Sequence, residues 1–566
     1  MEKIEHVKNL LIKIYGEKKG SLAFKMILPL IEKNQIKKNQ QEAYFSEKDI
    51  YLITYGDTLN KKGEAPLNTL LNFSKEYFKD VFSDIHILPF CPFSSDDGFS
   101  VIDFCAVNPE LGTWEDIKAF SSDFKLMFDL VLNHISAQSE WFKKYLEKEE
   151  GFEDLAIEQN LETDLSLVTR PRSLPLLTEF TKKTGEKVNV WTTFSSDQID
   201  LNYKSIDVLE KMLKALFYYV KHGAKCIRLD AIAYLWKEIG TNCVHLTQTH
   251  DMVKLFRALL DVVAPDVILI TETNVPHNEN ISYFGNGSDE AQMVYNFTLP
   301  PLLLYTLMKG DASILSNWAK GLNCDSGSNT FFNFLSSHDG IGVRPLEGIL
   351  SNDEIDYILE RVKENGGRVS YKKNPDGSES PYELNITYLD ALLNKKEKDG
   401  YDIRPFLAAH SIQYVLPGVP ATYIHSILGS ENWQEGVSMT KRARSINREK
   451  LQVDEVSKDL QKKDSMRSRI FSPLIELIKV RKKQIAFHPN SDFEILDMRS
   501  SVFAVARYGK GQNVYALTNV SPEKIKVPSN GSDIPANMVD LLTGATYSTE
   551  DLSLHPYQYL WLSEKR

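Results

Sequence analysis

The sequence predicts an α/β protein whose main body is a (β/α)8 TIM barrel. Three observations predict it. Short apolar runs alternate with amphipathic ones, the pattern of parallel strands joined by crossover helices. Three of those apolar runs lead into an acid, namely Asp230 after Ile227-Arg228-Leu229, Glu272 after the run 267–271, and Asp339 after Ser336-Ser337-His338. Two irregular stretches interrupt the alternation and are too long for barrel loops, which predicts inserted subdomains.

Taken in order, residues 1–48 place Val7, Leu10, Leu11 and Ile14, then Phe24, Ile27, Leu28, Leu30 and Ile31, at helical spacing. They predict an N-terminal helical extension on the outside of the main domain, with the Lys run 33–38 as a solvated face. The barrel spans 49–488. Its first three strands are 49–57, 84–92 and 126–134, with helical runs at 67–78 and 114–120. The insert 135–203, rich in Thr, Ser and Pro, follows strand three and should overhang the barrel mouth. A helix over 208–222 leads to strands four to six at 224–230, 267–272 and 292–297, and strand seven is 330–336.

A second insert, 340–402, carries the turn signals Gly366-Gly367 and Asn374-Pro375-Asp376-Gly377. A helix over 404–416 then passes through Pro417-Gly418-Val419-Pro420 to the last strand, 421–427, and a helix over 467–484 closes the barrel. Beyond Pro489 short alternating runs (501–507, 514–520, 557–562) predict a small C-terminal β domain, 489–566.

Composition narrows the class. The chain has 566 residues, 42% hydrophobic and 25% charged, which fits a soluble globular protein with room for a large domain and one or two smaller ones. A net charge of -11 argues against a nucleic-acid surface. No long apolar stretch occurs at the N-terminus or elsewhere, so the reading is cytoplasmic, with no membrane partner. The five cysteines (Cys91, Cys105, Cys226, Cys243, Cys324) are odd in number and form no CxxC pair, which predicts reduced, mostly buried thiols. With no Gly-rich phosphate loop and no metal-ligand cluster, neither cofactor nor metal is expected.

An acid after a strand is often a helix cap or a turn former. Three in succession, one with Arg228 two residues before it and one with His338 beside it, point to a shared site at a barrel mouth. A nucleophile, a proton donor and a stabiliser of positive charge are what glycosidic-bond chemistry requires.

Asp129-Leu130-Val131-Leu132-Asn133-His134, Ile227-Arg228-Leu229-Asp230, Thr271-Glu272 and Ser337-His338-Asp339 resemble the four signature regions of the α-amylase superfamily. Within it the chain is similar to the sucrose phosphorylase family. The similarity runs through Leu88-Pro89-Phe90, Asp96-Asp97-Gly98-Phe99, Arg170-Pro171-Arg172, Lys237-Glu238-Ile239-Gly240-Thr241, the run 297–302, His338-Asp339-Gly340-Ile341-Gly342-Val343 and Ile446-Asn447-Arg448. It covers about residues 49–566. The first 48 residues suit the longer relatives that phosphorolyse glucosylglycerate.

The resemblance implies that Asp230 attacks the anomeric carbon to give a β-glucosyl ester, that Glu272 protonates the leaving oxygen, and that Asp339 stays ionised. It further implies that Arg228 orients Asp230, that His134 and His338 bond glucose hydroxyls, and that Asp96 and Arg444 grip the ring over the platform Phe99. Such a pocket holds one glucose and excludes polysaccharide. Phosphate would meet Arg172 and Tyr234, and a mobile loop over 380–385, with Tyr382 and Glu383, would serve leaving group and phosphate in turn. Two departures from the sucrose-specific pattern stand out. Glu383 replaces a Gln, and Ser380 replaces an acid. Arg344, just past strand seven, could bind a carboxylate as in glycerate, or pair with Glu347 in its own loop.

The expected partners are therefore small molecules: sucrose or glucosylglycerate, phosphate and alternative acceptors, bound by a monomer or homodimer. A hydrolase or transglucosidase on the same scaffold is the alternative within enzymes. A non-catalytic barrel partner is the alternative of another class, and the presence of all three acids argues against it.

Overall fold

The computed structural model describes residues 2–36, 43–172, 174–323, 327–374, 377–393, 402–527 and 534–564. Eight parallel strands close into a barrel: Tyr51–Thr54, Asp84–Ile87, Lys125–Leu130, Ala224–Leu229, Ile268–Thr271, Met293–Tyr295, Thr330–Asn333 and Val419–Tyr423. Each pairs with its sequence neighbours, and the eighth returns to the first through Tyr51 opposite Ala421. Six of these strands are buried along their whole length, and in the other two only Lys125 and Lys225 reach solvent. That is why they read as continuous apolar runs and not as alternating ones.

The strands are shorter than expected at their C-terminal ends. Strand three stops at Leu130, and His134 belongs to a separate short strand, His134–Ser136, paired with Gln198–Asp200. The eighth strand was expected over 421–427. It starts earlier, at Val419, takes in Pro420 near its beginning where a missing donor is tolerated, and gives way to a helical turn, Ile424–Ile427.

The first insert contains the helix Glu140–Leu146 and the hairpin Leu177–Thr181 with Lys187–Trp191. The second contains the capped helix Asn352–Glu364 and a three-stranded antiparallel sheet. Its central strand, Glu379–Asn385, is the segment expected as a mobile loop; it pairs with Arg368–Lys373 on one side and Ile341–Gly342 on the other. A register shift between Ser370 and Tyr371 accommodates the missing Pro381 donor. Of the Asn374 to Gly377 turn, Pro375 and Asp376 lie outside the described residues, as do Lys37, Lys38 and Cys324. Cys91, Cys226 and Cys243 are buried free thiols and Cys105 is exposed.

At the N-terminus, helices Glu2–Tyr15 and Glu17–Asn34 form a hairpin that packs on the barrel helices Thr247–Val263 and Ile206–Lys221. At Gly20 a Cβ would stand 2.5 Å from the Leu11 carbonyl oxygen, so glycine sets how closely the two helices approach. At the other end, Asp492–Ile495, Val502–Gly509, Gln512–Asn519, Tyr559–Glu564, Asn537–Asp540 and Thr546–Ser548 form one antiparallel sheet. Trp561 of that sheet is fully buried and donates to Ser411 on the barrel helix Arg404–Val415. No helix among the described residues is long and apolar enough to cross a membrane.

Candidate active site

Arg228 forms the floor of the site. It lies two residues before Asp230, so strand alternation turns both side chains inward. One guanidinium nitrogen, Nη1, lies 2.6 Å from Asp230 Oδ1 and 2.6 Å from Asp129 Oδ1, while Nη2 is 3.8 Å from Glu272. Asp129 in turn meets His86 Nε2 at 2.6 Å. A buried cation is tolerated only when paired, and here two carboxylates flank it. Although burial opposes charge, Asp129 and Asp230 hold the Arg228 pKa well above its ordinary value.

The turn after Asp230 joins two of the acids. Ala231 adopts a left-handed backbone (φ 51°, ψ 31°), unusual for a residue with a Cβ. In that conformation its N–H donates to Glu272 Oε2 at 3.1 Å. Strain of about 1–3 kcal/mol is typical of such positions, and here it places a donor on the second carboxylate.

The third acid is held from the opposite wall. Arg444 Nη1 stands 2.5 Å from Asp339 Oδ1, and its Nε and Nη2 donate to Glu383 at 3.1 and 2.7 Å. Glu383 was expected to face the leaving group. It is 2% exposed, clasps Arg444 and accepts the Gly340 N–H (3.1 Å). A Cβ at Gly340 would stand 2.4 Å from Glu383 Cγ, so only glycine fits between the two. Arg448 ties the far rim, with Nε donating to the His338 carbonyl (2.7 Å) and Nη1 to Asp97 (2.6 Å). Asp96 and Asp97 both have positive φ (55° and 49°), and Gly98 follows where a Cβ would meet the Pro89 carbonyl oxygen at 2.6 Å.

These surroundings separate the acids. Burial, reinforced by Asp230 and Asp339 and opposed by Arg228, pushes the Glu272 carboxyl up to about 7. Burial also raises Asp230, to about 6, against the pull of Arg228. Asp339 goes the other way. Despite its burial, Arg444, supported by Arg228 and Arg448, holds it well below the usual carboxylate range. Near neutral pH one acid is poised to donate a proton, one is ionised at the edge of its range, and one is a fixed anion.

Around them the pocket is lined by Asp96, Phe99, His134, Arg172, Tyr234 and Tyr382, among others. Phe99 stacks on His338 with ring centroids 4.7 Å apart and planes within 4°. His338 Nδ1 is buried without a partner, whereas burial keeps its ring neutral. His134 differs from expectation. Its Nε2–H donates to the Phe99 carbonyl (2.8 Å) and its Nδ1 lies 3.3 Å from the Asn133 amide, so both nitrogens are committed within the protein. The Arg172 guanidinium lies over the Tyr382 ring at 5.8 Å, and Phe194 packs edge-on against Tyr234 at 5.4 Å. Arg344 is outside this lining. Its partner is Glu279 (3.6 Å), on the segment after strand five, and not Glu347, which lies 3.7 Å from Lys372.

An α-amylase catalytic-domain model matches residues 74–341. A glucosylglycerate phosphorylase of Spirochaeta thermophila is 45% identical over the full length of both chains. One of Escherichia coli is 43% identical over 95% of this chain and 96% of its own. The crystal structure of sucrose 6F-phosphate phosphorylase from Thermoanaerobacter thermosaccharolyticum superposes with a TM-score of 0.75 at 28% identity, covering 90% of this chain and all of that one. The chain belongs to the sucrose phosphorylase family. Within this branch of the α-amylase superfamily it lies close to the glucosylglycerate phosphorylases.

Sequence reasoning did not single out Gln198 or Asp129 as parts of this family's site. Asp129 sits inside a quoted signature region, and its strand-end position was the available signal. Gln198 carries none. It donates to the same Phe99 carbonyl at 3.3 Å and reaches the pocket only through the pairing of Gln198–Asp200 with His134–Ser136.

Proposed function

We propose that the protein is a retaining α-glucoside phosphorylase whose preferred donor is glucosylglycerate, yielding α-glucose 1-phosphate and glycerate. The separation of the three acids carries the mechanistic part. Glu272, protonated near neutral pH, gives its proton to the leaving oxygen while Asp230 forms the β-glucosyl ester, and Asp339 stabilises the oxocarbenium-like transition state. Phosphate then attacks the ester from the leaving-group side, and the second inversion restores the α configuration.

Phosphate must enter a pocket with three acids, so an uncommitted cation is needed near the mouth. Arg228, Arg444 and Arg448 are all paired with carboxylates. Among the described residues Arg172 is in no ion pair, and it lines the pocket beside Tyr382 and Tyr234. Arg172, Tyr234 and Tyr382 form the acceptor wall in this reading.

For the donor, the full-length relatives named glucosylglycerate phosphorylase support glycerate as the leaving group. Arg344 is the residue we assign to its carboxylate. Its charge acts on Tyr234 of the acceptor wall, and its buried Nε has no partner. The test is formation of α-glucose 1-phosphate from glucosylglycerate and from sucrose, each with and without phosphate. A phosphate-dependent product with glucosylglycerate the better donor is expected. Free glucose at a rate indifferent to phosphate would identify a hydrolase, and a preference for sucrose would remove the role of Arg344.

A further inference from the structure

The N-terminal hairpin touches the segments that lead to the active site, and Tyr15 makes the central contact. Tyr15, the last residue of its first helix, donates through its hydroxyl to the Tyr203 carbonyl (2.9 Å) and rests its ring against Trp236, with centroids 6.4 Å apart. Both neighbours lead to the pocket. The Tyr203 hydroxyl donates to the Leu132 carbonyl (2.7 Å), two residues before His134. Trp236 lies two residues after Tyr234 and directly before Lys237. The buried Lys237 Nζ donates to the Tyr234 carbonyl (2.5 Å) and Asn133 Oδ1 (2.7 Å), and pairs with Asp200 (2.5 Å).

A cavity of about 280 Å³ borders this loop, lined in part by Tyr203, Lys204, Trp236 and Lys237. The loop therefore has open space on one side and is held on the others by Lys237, by the Trp236 N–H on Thr249 Oγ1 (3.4 Å) and by a contact to the Trp236 ring. The hairpin supplies that contact. Lys19 adds a bond to the Lys204 carbonyl (2.5 Å), and Lys13 anchors the hairpin to Asp251 (2.7 Å) on the helix Thr247–Val263.

We infer that Tyr15 is a positioning residue for the acceptor wall. Through its hydroxyl on Tyr203 and its ring on Trp236, which flank the Lys237 loop, it fixes where Tyr234 stands, and so how well phosphate competes with water for the glucosyl ester. The inference rests on reading Tyr234 as part of that wall.

The experiment compares Tyr15→Ala, Tyr15→Phe, Lys13→Ala and Tyr234→Phe in the full-length enzyme. It measures the phosphate KM, the ratio of α-glucose 1-phosphate to glucose, and first-turnover fluoride release from α-glucosyl fluoride. Tyr15→Ala should raise the phosphate KM and lower the product ratio by about two- to ten-fold each, the span of one lost hydrogen bond, with fluoride release unchanged. Lys13→Ala should lower Tm and leave the ratio alone. If Tyr15→Ala does not fold, Tyr15→Phe reads the same ratio, because it removes the bond to Tyr203 and the weak contact with the Met252 sulfur (4.0 Å) and keeps the ring. A ratio unmoved in the Tyr15 variants but moved by Tyr234→Phe overturns this inference alone. A phosphate KM unmoved by Tyr234→Phe overturns the acceptor wall and the inference together.

Discussion

Two arginines divide the three acids between them, and that division sets each acid's chemistry. Arg228 shares its charge among Asp129, Asp230 and Glu272, whereas Arg444 concentrates on Asp339 and Glu383. Asp230 must be ionised and Glu272 protonated for the first half-reaction. The kcat/KM for the donor should therefore rise through about pH 6 and fall through about pH 7, a narrow bell whose limbs belong to the coupled pair. A flat profile from pH 5 to 9 would contradict the assignment. Glu272→Gln should cost about 10²–10⁴-fold in kcat on glucosylglycerate and far less on α-glucosyl fluoride, whose leaving group needs no proton. Arg344→Gln should weaken glucosylglycerate by about ten- to hundred-fold in KM, as for a lost charge-assisted bond, and leave the phosphate KM in place; steady-state kinetics with each substrate varied would show it. Strand-end position made Asp230 and Glu272 legible in the sequence. The role of Glu383 was not legible, because its partner Arg444 lies 61 residues away and nothing local announces the clasp.

Whole elements follow the same logic. The apolar runs marked all eight barrel strands, since burial on both faces leaves a continuous signal. They marked the ends less well, because the residues that leave the barrel to line the mouth are as buried as those inside it; His134 and Asn133 are examples. The family resemblance makes a mobile loop of 380–385, and only pairing with a segment about ten residues earlier makes Glu379–Asn385 a strand. Lys237 binds three such elements together, contacting Asn133 after strand three, Asp200 at the end of the first insert and Tyr234 after strand four. Lys237→Met would leave the Asp200 carboxylate buried without its cation. The expected cost is about 3–5 kcal/mol, read as a lower denaturant midpoint with unchanged slope. A loss under about 0.5 kcal/mol, the level of an ordinary surface change, would mean that the node is not structural.

At the scale of the molecule, a closed barrel carries the three acids, two inserts build the walls of the pocket, and the N-terminal hairpin packs behind one of the loops. In the proposed reaction Asp230 carries glucose as an ester that phosphate, more than water, discharges. The most direct test treats the Glu272→Gln enzyme with α-glucosyl fluoride and follows the intact mass and the peptide that bears Asp230. Attack on the fluoride needs no acid, hydrolysis of the ester needs a base that the variant lacks, and phosphate is a nucleophile without one. An adduct one hexosyl unit heavier on Asp230 is expected, persistent in buffer and discharged by phosphate to α-glucose 1-phosphate. An adduct on another residue, or one lost equally fast with and without phosphate, would contradict the proposed reaction.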